Sequence, residues 1–184
     1  MKPAKATLGF RAHSGWAALV AVSEGTAILR KRLEMTTDSG FRARQPYHAA
    51  EEMQIDQARA FLQETEKEAV AMAACGIRKV IAGLVEDGYS VKAAAVLLGN
   101  GKPLPELPKI LAAHPLIHTA EGVFYREVLI RACETIPLLV TGIREREVLQ
   151  QSGVTQEHLT AIGKPLGRPW TQDEKLSAAA ALCV

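Results

Sequence analysis

The stretch HPLIHTAEG, residues 114–122, sets His114, His118 and Glu121 within eight positions. Imidazole and carboxylate groups are ligands for zinc and non-haem iron, and a histidine can serve as general base near neutral pH. On one uninterrupted helix the three residues would lie at 0°, about 40° and about −20°, a single face. Pro115, however, disfavours helical geometry at His114. The expected arrangement is one helix ending at Ala113 or His114 and a second opening with Thr119 as its N-cap. His114 then serves the last carbonyls of the first helix, and Glu121 complements the positive end of the second. The three side chains need not converge, so no metal or cofactor is expected. An acid–base role for His118, with Glu121 beside it, remains open.

A second group lies far apart in the chain. Arg11 and His13 alternate with Phe10 and Ala12, so they share one face of a strand, and Asp173 opens the last helix. Guanidinium, imidazole and carboxylate without a metal cage suit an anionic ligand. His13 and Asp173 are candidates for the chemistry, and Arg11, Arg126, Lys164 and Arg168 for binding. Lys164 and Arg168 lie in GKPLGRP, which reads first as a connector and second as a phosphate loop beside a helix N-terminus. Ser14 follows His13 without a G-x-S-x-G setting and reads as a bend residue. Neither a Walker loop nor a G-x-G-x-x-G fingerprint is present. Trp16 and Trp170 read as packing residues rather than platforms for bases.

These residues need elements to hold them. TLGFRAHSGWAALVAV (7–22) reads as extended, with Ser14-Gly15 as a bulge or bend. A turn at 23–26 folds TAILRKRLEM back as a hairpin, and a short third strand is expected at 41–44. Residues 47–87 have helical spacing, with Ala50, Met53, Ala58, Phe61 and Leu62 opposite acidic positions. Unbroken, that segment would run about 60 Å, so a break is expected near Gly76. VKAAAVLLG (91–99) and PLLVTGI (137–143) read as buried strands. Thr155 opens one late helix, with Val154 and Leu159 as a staple, and the Thr171/Glu174 spacing gives a capping box for the last one.

Composition sets the outer limits. The 184 residues suit one domain spanning 1–184, and 48% hydrophobic with 23% charged residues is ordinary for a globular protein. No apolar run reaches the roughly 18–20 residues of a membrane span. The N-terminus has no h-region, and the three cysteines are unpaired in spacing, so buried thiols and a cytoplasmic location are expected. The net charge of +2 does not announce a nucleic-acid binder. Residues 1–48 nonetheless hold eight Lys/Arg against three Asp/Glu, and 49–75 hold two against six. An anionic partner could meet the basic part, although arginine and lysine also protect sheet edges.

The order of elements resembles the ribonuclease H-like superfamily, and most closely its RuvC-type resolvase branch. LGFRAHSGWAALVAV is similar to that branch's first strand, in which an LGxD segment bends before a G-[YWF]-A run. VKAAAVLLG resembles its fourth strand, PLLVTGI its fifth, and DEKLSAAAALCV its terminal helix. The resemblance implies an α/β fold, a mixed sheet of an N-terminal antiparallel hairpin and later parallel strands, with helices on both faces. It also implies carboxylates holding two divalent metals for phosphodiester cleavage. Here Arg11 stands where that aspartate belongs, Gly99-Asn100 where a glutamate is usual, and only Asp173 where a family carboxylate would stand. The expectation is a non-nucleolytic module for an anionic ligand, nucleic acid among the candidates, around Arg11, His13 and Asp173. The alternatives are a hydrolase using His114, His118 and Glu121, with or without a metal, and a structural homodimer joined through helix 47–87.

Overall fold

The computed structural model describes residues 2–37 and 40–184, with Phe41 as backbone only. Five strands form one sheet: β1 (Ala4–His13), β2 (Trp16–Ser23), β3 (Thr26–Glu34), β4 (Tyr89–Leu98) and β5 (Leu139–Arg144), in the order β3-β2-β1-β4-β5. β2 pairs antiparallel with both β1 and β3, whereas β4 runs parallel to β1 and β5 parallel to β4. This is the mixed sheet implied by the resemblance.

The first strand is shorter than the extended stretch suggested. Ser14-Gly15 is not a bulge but the turn of a tight hairpin, with His13 opposite Trp16. Gly15 takes φ +82°, open to glycine at little steric cost, and its carbonyl accepts from Met35 N at 2.8 Å. Residues 41–44 form a helical turn, α1 (Phe41–Arg44), instead of a third strand, and α2 (Pro46–Ala50) follows. The long helix α3 (Ile55–Glu86) then runs 32 residues without a break. Gly76 does not interrupt it. A β-carbon there would drive into Leu33 Cδ1, so the glycine lets the helix approach the sheet closely.

Helices cover both faces of the sheet. On one face α3 and α5 (His114–Glu134) pack through Ala73, Ile77, Phe124 and Val128 against Leu8 and Phe10, with α4 (Leu107–Leu111) beyond them. On the other, α6 (Val148–Ser152), α7 (Gln156–Ile162) and α8 (Gln172–Ala181) pack against Val20, Ala95 and Leu97. β4 feeds both cores, as expected for a strand buried on two faces. β5, at the sheet edge, contributes less: Ile143 enters one core, half-buried Val140 packs against the other, and Leu139 is 72% exposed.

α8 lies directly across β1. A β-carbon on Gly9 would overlap Ser177 O, so only glycine permits this crossing. Thr7 Oγ1 donates to Ala181 O at 2.7 Å, and the Ser177 hydroxyl is shared between Ala18 O (3.1 Å) and Asp173 O (2.9 Å). The capping box is present: Thr171 N donates to Glu174 Oε2 at 2.6 Å, and Glu174 N to Thr171 Oγ1 at 3.3 Å. The other expected cap also forms, with Thr155 accepting from His158 N.

The expected burial of all three cysteines is corrected. Cys133 is buried, which pushes its thiol up to about 12, but Cys183 is half-buried and Cys75 exposed. No helix among the described residues is long and apolar enough to cross a membrane. Phe61, on the face of α3 read as a dimer interface, packs with Ala58 and Leu62, and the Arg42 guanidinium carbon lies 5.4 Å from its ring centre.

Candidate functional site

The parallel strands β1, β4 and β5 end at the same edge of the sheet, and α8 begins there. Ligands of open α/β sheets gather at such carboxyl ends, where the strand order reverses. β1 is that point here, with an antiparallel neighbour on one side and a parallel one on the other.

Arg11 projects toward the start of α8. Its Nε donates to Glu145 Oε2 and its Nη2 to Glu145 Oε1, both at 3.1 Å, while its Nη1 donates to Asp173 Oδ1. Glu145 follows directly on β5, so strand ends and a helix start deliver the three groups together. The guanidinium is held above its usual range first by the Glu145 hydrogen bonds, against the opposing effect of burial, with Asp173 adding to the rise. This corrects the expectation that Arg11 is a free ligand for an anion. Its charge is already matched inside the chain.

His13 Nε2 lies 3.1 Å from Asp173 Oδ2 but out of line for a hydrogen bond. Its ring stacks on Trp16 at 4.3 Å and 8°, and the Arg32 guanidinium covers the same indole at 3.8 Å. Trp16 is thus a half-buried partner of charged groups, whereas Trp170 is a packing residue whose Nε1 donates to Leu159 O at 2.8 Å. Lys164 and Arg168 are exposed on the connector. That loop offers carbonyls rather than amides: Gly167 O and Arg168 O accept from Arg30 at 3.0 and 3.3 Å, and Pro169 O also accepts from it. Acceptors suit a cation, so the phosphate-loop reading has no geometric support.

Arg126 differs from Arg11. It rises from α5 between Gly99 and Gly122, whose absent side chains make its room: β-carbons there would lie 3.1 and 3.0 Å from its Nη1. Among the described residues it makes no hydrogen bond or ion pair. Burial lowers its pKa; nearby Glu145 counters this and Arg11 adds to it. A half-buried guanidinium without a bound acceptor therefore sits at the end of β4.

The histidine stretch also departs from expectation. α5 begins at His114 with Pro115 in its first turn, Ala113 is the N-cap, and the Thr119 hydroxyl donates to Pro115 O instead of capping a helix. His114, His118 and Glu121 therefore do share one helix. Glu121 is not in the first turn but buried, 5% exposed, under α2. Its Oε1 accepts from Tyr47 N (2.8 Å), His48 N (3.1 Å) and His48 Nδ1 (3.2 Å), while Oε2 has no partner among the described residues. Burial raises its pKa, and these hydrogen bonds from His48 and Tyr47 only partly offset the rise. His114 and His118 are exposed, with their Nε2 atoms 3.0 Å apart.

His13, Ser14, His48, His118 and Glu121 line a cavity of about 220 Å³. His13 thus joins the two groups, which lie at one end of the sheet. Two residues, Glu145 and His48, were not anticipated. Glu145 carried a signal, being a carboxylate immediately past a strand of the parallel set; His48 carried none.

No protein-family model matches this sequence, and no curated protein matches it. Solved structures do. Thermus thermophilus RuvC in complex with Holliday junction substrate aligns with a TM-score of 0.56 at 11% identity, over 97% of this chain and 91% of that one. A second T. thermophilus RuvC structure gives 0.54 at 10% identity, over 97% and 92%. The chain has a RuvC-like, ribonuclease H-type fold. At such identities the likeness concerns the backbone path, and the side chains at the strand ends must be read on their own terms.

Proposed function

We propose that this protein is a non-nucleolytic module of RuvC-like fold that binds nucleic acid through its phosphates at the carboxyl end of the sheet. The observation that carries the reading is Arg126, a half-buried guanidinium with no acceptor among the described residues, cradled by Gly99 and Gly122. A charged group withheld from water is stabilised by an anion, and planar N–H donors match phosphate oxygens. The finer assignment shifts accordingly. Arg126 is the anion ligand, and Arg11 positions Asp173 and Glu145.

The same charges argue against two-metal cutting. Two carboxylates, Asp173 and Glu145, are offset by two guanidinium groups, Arg11 and Arg126, and Gly99 offers no oxygen from a side chain. Divalent cations need a surplus of such oxygens. The Holliday junction named with one RuvC structure suggests branched DNA as the probe.

The test is fluorescence anisotropy with a labelled four-way junction, a duplex of equal length and a single strand. Binding is expected at about 50 mM salt and should weaken steeply by about 200 mM, with a log–log slope of about −0.9 per duplex phosphate neutralised. Arg126→Gln should weaken binding and make the slope shallower by roughly that single contact. No binding at low salt, Arg126→Gln equal to wild type, or magnesium-dependent cutting would each overturn the proposal.

A further inference from the structure

We infer that His48, His114 and His118 form a site for a borderline divalent transition metal, zinc in the first instance, with Glu121 orienting His48 rather than ligating the ion. One nitrogen from each ring lies within 4.8 Å of those of the other two. Zinc bound by imidazole at 2.0–2.1 Å sets its ligand nitrogens about 3.3 Å apart in a tetrahedron. The His114–His118 pair, at 3.0 Å, is already near that spacing. These two rings stand one helical turn apart at i and i+4, which brings two ligands to one side of a helix. Both are exposed and can adjust; His48 is the more buried, fixed member.

Glu121 supplies what a chance cluster of histidines lacks. Metal-bound histidines commonly donate their second ring N–H to a carboxylate, which fixes the tautomer and makes the ligating nitrogen more basic. His48 Nδ1 lies 3.2 Å from Glu121 Oε1, an arrangement that assigns Nε2 as the ligating atom. The carboxylate is itself held by Tyr47 N and His48 N, so the ring it orients is tied to the backbone of α2. Glu121 is a buried carboxylate in direct contact with one of the three imidazoles, His48.

Three protein ligands leave one tetrahedral position for water, the ligand count of catalytic zinc sites. His48 and His118 line the cavity shared with His13 and Ser14, so solvent can reach the ion. The donor set selects the metal class: imidazole favours zinc, copper, nickel and cobalt over magnesium or calcium. The site rests on different residues from those proposed to bind phosphate, so either can fail alone.

The full chain, stripped with EDTA, would be titrated with Zn²⁺ alone by calorimetry near neutral pH, and the dialysed protein assayed for metal. One equivalent should bind. His114→Asn and His118→Asn, at exposed positions, should each weaken binding at least tenfold, and Glu121→Gln by about 10–100-fold. His158→Asn and Cys75→Ser should leave affinity unchanged. With Co²⁺ the complex should show four-coordinate visible bands without a thiolate charge-transfer band. Absence of stoichiometric binding, full affinity in His118→Asn, or a thiolate band would overturn the assignment. Circular dichroism of each variant separates loss of a ligand from loss of fold.

Discussion

Replacing Arg11 by methionine would test the central arrangement most directly. Methionine keeps much of the aliphatic stem and removes the cation, so the loss falls on the three hydrogen bonds to Glu145 and Asp173. Deleting one member of a fully buried pair costs about 3–5 kcal/mol, and an exposed pair contributes about 0–1. These side chains keep 26%, 31% and 27% of their exposure. Discounted for that screening, the loss should be about 2 kcal/mol. For a chain of this size the melting temperature should fall by about 4–8 °C. Urea unfolding followed by circular dichroism measures the change, and a cycle with Asp173→Asn isolates the coupling, expected at about 0.5–3 kcal/mol. Lys67→Met, which breaks an exposed pair with Glu64, serves as the control and should be nearly silent. Should Arg11→Met unfold within about 0.5 kcal/mol of wild type, or the cycle show no coupling, the guanidinium does not hold this end of the sheet together.

Arg11→Asp sets a third carboxylate beside Asp173 and Glu145 in place of the cation. It should melt lower than wild type in EDTA and recover several degrees in millimolar Mg²⁺, at about 2–4 °C per kcal/mol of binding free energy, while wild type stays put; equal responses would refute the charge argument. Two glycines of α3 should behave oppositely. Gly76→Ala meets Leu33 and should cost about 1–3 kcal/mol, whereas Gly83→Ala meets nothing within 4 Å among the described residues and should stabilise by about 0.5–1 kcal/mol, both read from urea midpoints. Glu121 gives a pH signature, because burial among Tyr47, His48 and Tyr125 raises its pKa above 4.5. The native state therefore holds that proton more firmly than the unfolded chain, so its stabilising effect is complete below about 4.5 and lost as pH rises through the folded value. Wild-type stability relative to Glu121→Gln should accordingly decline across that window, and a constant difference would contradict the assignment.

Much of the scaffold was legible because its signals are local. The Thr171/Glu174 spacing identifies the start of α8, and the apolar run of β4 identifies a strand buried twice over. Ser14-Gly15 misled because a period of two continues unchanged through a tight hairpin; alternation alone cannot tell one bent strand from two paired ones. PLLVTGI read as a buried strand, yet β5 lies at the sheet edge, as a short apolar run reports strand character but not position in the sheet. At His114 the bias against helix before proline was outweighed. The N–H missing from Pro115 is one that a first turn leaves unbonded anyway, and Ile117, Ala120 and Phe124 bury the helix that follows. His48 had no sequence signal, since its nearness to His118 and Glu121 depends on how α2 rests on α5, a contact between distant parts of the chain.

The two groups at the sheet edge divide the chemistry between the faces of β1. Arg11 turns toward α8, where its charge and those of Asp173 and Glu145 satisfy one another; Ala12 turns toward the cavity lined by His48, His118 and Glu121. A fold that gathers side chains at its carboxyl edge can thus have one side neutralised while keeping polar groups in reach on the other. His13, last residue of the strand, borders both: it lies 3.1 Å from Asp173 and also lines the cavity. If phosphate binds at Arg126 and a metal at the histidines, His13→Ala should disturb both without abolishing either, because it is neither an anchoring guanidinium nor one of the three proposed ligands. Anisotropy at fixed salt and zinc calorimetry on that one variant would measure this. Abolition of either activity would mean that His13 is itself a ligand, and the division between the faces would have to be redrawn.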